Sequence, residues 1–277
     1  MVQIITDTSS LYTPSEAESA GFASVPLCIS IGDCHERDLL IDMKSYYEKI
    51  HQGLVPTSSQ PPLGDVMEAF EAYEDSDIIN ISMADGLSGT YQTACSARNM
   101  MKHRDRIFVF NSRTLCGPHR YMVQKAQEMK EQGLSADQIL AWLEQAAANS
   151  ESFLIPQDFS FLKRGGRLTP LAAATGSVLK LKPIMKLTAD GRRLDKFGLK
   201  RTMASAADSI IQYLKKKQLG KNHILYISHA NALQDAEKIR ALFEQAFEQL
   251  EIQVLELSAV FVAQGGPKCV AIQYIRR

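Results

Sequence analysis

Alternating strand and helix signals predict an α/β protein in two domains, residues 1–150 and 151–277. The first is expected to hold a largely parallel sheet with flanking helices, the second a mixed sheet with helices. Three observations carry this. Apolar strand-length segments alternate with helical periodicity up to about residue 148. The pattern changes near residue 150, where Asp190-Gly191 marks a hairpin among later strands. The length of 277 residues suits two domains, and no flexible linker separates them, so close packing is expected.

The elements follow in order. Val2 to Ile5 reads as a strand and Asp7-Thr8-Ser9-Ser10 as a turn. Residues 14–20 read as a helix, 25–31 as a strand and 43–51 as a helix. The prolines in Val55-Pro56-Thr57-Ser58-Ser59-Gln60-Pro61-Pro62 forbid a strand interior and favour extended or turn geometry. Pro62 is placed to open a helix over 62–74. Strand 77–82 and helix 90–102 follow, then strand 107–110 and a helix from about 117. Ser135 caps a further helix with the apolar stripe Ile139, Leu140, Leu143 and Ala147. Beyond 150 the expected elements are strand 152–155, one helical turn at 159–163, strands 178–187 and 194–199, and helix 203–217. Strand 223–228, helix 232–248, and strands 252–258 and 269–275 complete the chain.

Composition excludes several functions. Lys+Arg and Asp+Glu both number 31, giving a formal net charge of zero, so the usual electrostatic case for nucleic-acid binding is missing. No apolar run reaches the roughly 18 residues of a membrane span. With no basic or long apolar leader at the N-terminus, a cytoplasmic location is expected. The five cysteines (28, 34, 95, 116 and 269) form no Cys-x-x-Cys pair and read as free thiols. No zinc-site spacing is present, and neither metal nor cofactor is expected.

The most informative segment is Ile81-Ser82-Met83-Ala84-Asp85-Gly86-Leu87-Ser88-Gly89-Thr90. A strand runs into a loop rich in glycine and hydroxyl groups, and a helix begins near Thr90. Such a junction aims backbone N–H groups and hydroxyls at one spot suited to a phosphate or carboxylate. The alternative is a plain cap, with Ser88 accepting from its own helix. The segment matches neither Gly-x-x-x-x-Gly-Lys-Ser/Thr, nor Gly-x-Gly-x-x-Gly, nor Gly-x-Ser-x-Gly, and no motif places a histidine near Ser88. No residue is read as catalytic.

Other candidates carry two readings each. Asp7 is either a metal or hydroxyl ligand or the acceptor of an Asx-turn. Arg167, behind Gly165-Gly166, either reaches an anion or is a solvated turn. Arg201 stands at a helix start, where the dipole does not favour a cation, which points to a partner or ligand contact. His229 is either functional or a locally bonded strand end. Gly265-Gly266-Pro267 reads as a structural turn.

Taken together, these segments resemble the DegV family of bacterial lipid-binding proteins over nearly the whole chain. The motifs are Ile5-Thr6-Asp7-Thr8-Ser9-Ser10, Thr57-Ser58-Ser59-Gln60-Pro61 and Gly86-Leu87-Ser88-Gly89-Thr90-Tyr91-Gln92. Phe161-Leu162-Lys163-Arg164-Gly165-Gly166-Arg167, Leu181-Lys182-Pro183-Ile184, Asp190-Gly191, Arg201-Thr202 and Gly266-Pro267 continue them. The resemblance implies a non-enzymatic protein that buries a long-chain fatty acid between its domains. It also implies a partner, a separate ATP-using fatty acid kinase to which the carboxylate is presented for acyl-phosphate formation. Ser58 stands where the family's carboxylate-holding threonine precedes Ser-Gln-Pro. Ser88 matches the family's Leu-Ser-Gly serine, Arg167 its Gly-Gly-Arg arginine, and Arg201 the arginine of its Arg-Thr motif. The ligand-binding set is thus Ser58, Ser88, Gly89, Thr90, Arg167 and Gln264, with Arg201 for partner docking.

The chain departs from the family pattern twice. Gln264 replaces a histidine near the C-terminus, and Met203, Ala204 and Ser205 replace basic residues after Arg201-Thr202. These changes bear on head-group chemistry and kinase docking, and neither touches an apolar wall. About 15 methylenes at roughly 0.8 kcal/mol each offer about 12 kcal/mol gross, so the tail supplies affinity and the polar groups supply orientation. A carboxylate held by neutral hydroxyls is expected near the mouth of the site, or partly protonated. Two alternatives remain: an enzyme, such as a hydrolase, acting on a small anionic substrate at the Ser88 loop, and a module binding a non-lipid metabolite.

Overall fold

A strand with apolar side chains on both faces belongs in the middle of a sheet. Val2–Asp7 (β1) is such a strand, and its Ile4 and Ile5, on opposite faces, are both fully buried. A computed structural model describes residues 1–174 and 181–277. The chain divides into two compact units, Met1–Ala148 and Asn149–Arg277, and each is an α/β structure.

In the first unit, Thr13 and Glu16 form a capping box that starts Pro14–Ser19 (α1). Ala23–Val25 (β2) then pairs parallel to β1. The single strand expected over 25–31 is corrected here. Pro26, which has no N–H to give the ladder, follows β2. Cys28–Ile31 (β3) belongs to a different sheet, where it pairs antiparallel with Cys34–Arg37 (β4). Asp42 caps Met43–His51 (α2) through the amides of Lys44 and Ser45. Thr57–Ser59 (β5), bracketed by Pro56 and Pro61, adds to the free side of β3 and gives the order β4-β3-β5. Prolines flanking so short an edge strand cost no ladder bond.

Leu63–Glu71 (α3) opens from Pro62 and precedes Asp77–Ser82 (β6). Thr90–Met100 (α4), Ile107–Asn111 (β7), Cys116–Glu131 (α5) and Ala136–Ala148 (α6) follow. The sheet order is β2-β1-β6-β7, parallel throughout. Val66 and Phe70 of α3 and Ala94 and Ala97 of α4 pack on Ile5, Val25, Ile78 and Ile107. α5 packs on β1 and α6 on β6. The chain leaves β1 toward β2 on one side and β6 toward β7 on the other. Strand order therefore reverses between β1 and β6, the place where open parallel sheets bind ligands beyond their carboxyl ends.

The second unit starts with Ser150–Ile155 (β8), followed by Phe159–Gly165 (α7) and the single turn Pro170–Ala173 (α8). Residues 178–180 of the strand expected over 178–187 lie outside the described residues. Its described part is Lys182–Leu187 (β9). Gly191, at φ 71°, donates to the Thr188 carbonyl at 2.8 Å and turns the chain into Leu194–Lys200 (β10). Met203–Lys216 (α9), His223–His229 (β11), Leu233–Ala246 (α10) and Glu251–Glu256 (β12) come next. Ala259–Gly265 (α11) and Val270–Arg276 (β13) end the unit. The order is β10-β9-β8-β13-β11-β12, and the β11–β12 pair is parallel within an otherwise antiparallel sheet. Ile210 and Leu214 of α9 and Ile239 and Phe243 of α10 cover Phe153, Leu225, Ile227 and Ile272. Leu162, Leu168, Ala172 and Met185 form a smaller apolar cluster.

Phe243 is fully buried at the centre of this core. Phe243→Ala is expected to cost about 3–5 kcal/mol of unfolding free energy. Urea unfolding measures this, and a loss under about 1 kcal/mol would contradict the assigned core.

Candidate functional site

The loop that leaves β6 is fixed amide by amide. Met83 N–H donates to Asp7 Oδ2 at 3.0 Å, Ala84 N–H to the Thr114 carbonyl at 2.9 Å, and Asp85 N–H to Asn111 Oδ1 at 3.2 Å. The ends of β1 and β7, with the loop after β7, thus grip the exit of β6 from both sides. The other oxygen of Asp7, Oδ1, accepts from Ser9 N–H at 2.9 Å. That bond is the Asx-turn acceptor role read from the sequence, and the contact to Met83 adds a second role no local pattern could reveal. Asp7 is nearly fully buried, so its charge is balanced by amide donors inside the fold.

Ser88 follows. Its hydroxyl lies 2.8 Å from Thr90 Oγ1 and accepts from Thr90 N–H at 3.3 Å. Ser88 therefore accepts from the first residue of its own helix, one position before the N-cap, and the Thr90 amide is occupied by it. Among the described residues, the amides of Ser88 and Gly89 have no hydrogen-bond acceptor, and Gly89, the N-cap of α4, takes no side-chain cap. Among the described residues the hydrogen bonds of the Ser88 hydroxyl run to Thr90 and to no histidine, so the base that a serine nucleophile requires does not bond it here.

The Ser58 segment meets this loop. Ser58 pairs with Ile29 across β3–β5, so it shares the face of that fully packed isoleucine, while Thr57 and Ser59 are exposed. Two residues on, the Gln60 carboxamide lies against Gly89. A Cβ added at Gly89 would stand 3.2 Å from its Cδ and Oε1. A side chain at position 89 would push Gln60 away, so the reason for a glycine here is packing, its φ of −74° being open to any residue.

In the second unit, Arg167 and Gln264 both address Gly165. The Arg167 guanidinium donates to the Gly165 carbonyl, and a Cβ at Gly165 would collide with Gln264 Oε1. α7 and α11 bring them together. Gly266, at φ 79°, ends α11 with its Cα against the Phe161 ring, which supports the structural reading of that turn. Half-buried Arg167 has its pKa lowered from the usual arginine range, first by burial and then by the charge of Arg193. Arg193 itself donates to the Gly166 carbonyl at 2.6 Å. Arg201 is exposed, directly before the Thr202–Ser205 capping box of α9. His229 accepts from Ala232 N–H at 3.4 Å, the locally bonded strand-end reading.

Sequence reasoning passed over His119. It is fully buried in the first turns of α5, with Nδ1 2.8 Å from Ser9 Oγ and Nε2 3.1 Å from the Ile81 carbonyl. A lone histidine in a helical stretch gives no periodic signal, and its partners are 38 and 110 residues away. No helix among the described residues is long and apolar enough to cross a membrane. Among the same residues, no group of three or more His, Cys, Asp or Glu side chains is placed to hold a metal.

The family model described as "Uncharacterised protein, DegV family" matches residues 1–277. The chain belongs to the DegV family. Protein DegV of Bacillus subtilis (strain 168) is 30% identical over 278 residues, covering 98% of each chain. The crystal structure of DegV from Bacillus subtilis, described as a fatty acid binding protein, superposes with a TM-score of 0.86 at 28% identity, covering 100% of this chain and 99% of that one. A DegV family protein from Thermus thermophilus, also described by its fatty acid binding, superposes with a TM-score of 0.90 at 26% identity and the same coverage.

Asp7 is the DegV residue here with the most to lose. Asp7→Ala leaves two buried amides without acceptors, at about 1–3 kcal/mol each. Urea unfolding should show a loss of roughly 2–6 kcal/mol, and a loss below about 1 kcal/mol would remove the bridge from the account.

Proposed function

We propose that this chain binds a long-chain fatty acid and does no chemistry on it. The tail lies in an apolar tunnel, and the carboxylate rests at the Ser58 and Ser88 loops. The supporting observation is the meeting of these loops, at Gln60 and Gly89, beyond the carboxyl ends of β1 and β6. The Ser88 hydroxyl and the Ser88 and Gly89 amides are donors of the right kind, and Thr90 holds the hydroxyl in place. The fatty-acid binding of the Bacillus subtilis and Thermus thermophilus relatives supports the same choice of ligand.

Arg167 and Gln264, which meet at Gly165, are proposed as further head-group ligands on the family resemblance. An anion beside Arg167 would offset the repulsion of Arg193 that already presses on it. Gln264 offers an amide donor where a histidine would offer a titratable one, so this contact stays neutral across pH.

A separate kinase is the proposed partner, docking near Arg201. The neutral total charge hides a strong separation that supports this. The first unit holds eleven Lys+Arg against twenty Asp+Glu, and the second holds twenty against eleven. Residues 160–202 alone carry eleven basic side chains and two acidic ones. A second unit with this excess of basic residues would steer an acidic partner at long range, a role otherwise given to the basic residues missing after Arg201.

Protein extracted with organic solvent should release about one fatty acid per chain by mass spectrometry, a ratio set by one tunnel per molecule. Ser88→Ala should then weaken binding by roughly 1–3 kcal/mol, about 5- to 150-fold. Finding no lipid, together with no uptake of palmitate or oleate, would overturn the reading. Unchanged affinity in Ser88→Ala would remove Ser88 from the site.

A further inference from the structure

α5 sends two consecutive side chains into the turn after β1. Arg120 donates to the Leu11 carbonyl at 2.6 Å and lies 3.5 Å from the centroid of the Tyr12 ring. His119 reaches deeper. A carbonyl can only accept, so the Nε2 facing Ile81 carries the proton, and Nδ1 accepts from the Ser9 hydroxyl. Thr6 Oγ1 lies 3.2 Å from Nε2 and donates to the same Ile81 carbonyl at 3.1 Å. Ser9 N–H is bound by Asp7, and Asp7 also binds Met83 N–H. The bonds close a ring through Asp7, Ser9, His119, Ile81 and, two residues along the chain, Met83. Residues 81–83 are the exit of β6 that carries Ser88 and Gly89. Ser9 and His119 are both fully buried, so the pair is shut away from any substrate.

We propose that His119 is a positioning residue for the ligand loop, and that its protonation opens this ring and releases an anionic head group as the solution turns acid. The inference rests on the proposed fatty-acid reading. A proton on Nδ1 forces the Ser9 hydroxyl to turn from donor to acceptor and puts a charge into a fully buried site, which strains the ring at this corner. Burial pulls the His119 pKa below the ordinary histidine value, while the charge of Asp7 and the bond to Ile81 pull less strongly upward. Among the described residues Asp7, from β1, is the charged group whose field acts on the ring. β6 presents the Ile81 carbonyl, the turn presents the Ser9 hydroxyl, and Arg120 of α5 is turned to Tyr12. The folded pKa is therefore depressed. The closed ring contributes fully above the ordinary value of about 6.5, and its contribution is lost as pH falls toward and through the folded value.

The test titrates a long-chain alkyl sulfonate, whose charge is constant, against the whole protein from about pH 8 to pH 4.5. In parallel, the amide-exchange protection of Met83 is followed without ligand. Wild-type affinity should fall at least about tenfold toward the acid end of that range, the equivalent of one pKa unit, and Met83 protection should fall with the same midpoint. His119→Gln should hold both within about twofold. Ser9→Ala, which strips the neutral ring of its donor, should move the midpoint upward. A flat wild-type profile, or an equal slope in His119→Gln, overturns the proposal. If His119→Gln does not fold, the direction of the Ser9→Ala shift decides. If wild type binds no sulfonate and no palmitate at about pH 7.5, the fatty-acid reading fails, and Met83 exchange alone decides whether the ring opens.

Discussion

The carboxylate of Asp7 holds together the part of the first unit that can act. One oxygen takes the amide of Ser9 and the other the amide of Met83, 76 residues away. Parallel strands end in loops with unpaired amides, and two adjacent loops would otherwise move independently. A buried anion accepting from both locks them to one geometry, and the same amides stabilise its charge. With Ala84 and Asp85 tied to the end of β7 and the loop after it, the chain emerges at Ser88 in one orientation. The donors at Ser88 and Gly89 owe their placement to this bracing, since the glycine-rich segment supplies little rigidity of its own.

The central strands were legible because burial on both faces concentrates apolar residues, as in Ile78, Ile79 and Ile81 of β6. β5 was read only as extended or turn geometry because of its flanking prolines, and three further elements were not read at all. β4, Cys-His-Glu-Arg, is a polar hairpin arm with no hydrophobic period. α8 is a single turn beside the undescribed residues. In α11, Ala259, Val260, Val262, Ala263 and Gly265 are buried, so the amphipathic stripe that betrays a surface helix is missing. The run 25–31 misled because a strand changing sheets at Pro26 looks, residue by residue, like one strand.

The candidate site was legible to the extent that it is local. The Ser88 loop declares itself by glycine and hydroxyl content next to a strand and a helix. Ser58 has no such local signature and entered through family resemblance. The second role of Asp7 and the whole of His119 depend on partners far along the chain, which one sequence does not pair. The same holds for Gln60, whose contact with Gly89 joins two loops that the sequence only suggested would converge.

The central claim is that a braced β6 exit presents Ser88 and Gly89 to a carboxylate. A crystal structure with a fatty acid brominated at the tail tests it most directly, since bromine marks the chain and refinement places the head. The account predicts carboxylate oxygens within about 3.2 Å of Ser88 Oγ and the Gly89 amide, with the Asp7–Met83 bond intact. A head group bound elsewhere, with the Ser88–Thr90 pair undisturbed and no anion near it, would contradict it.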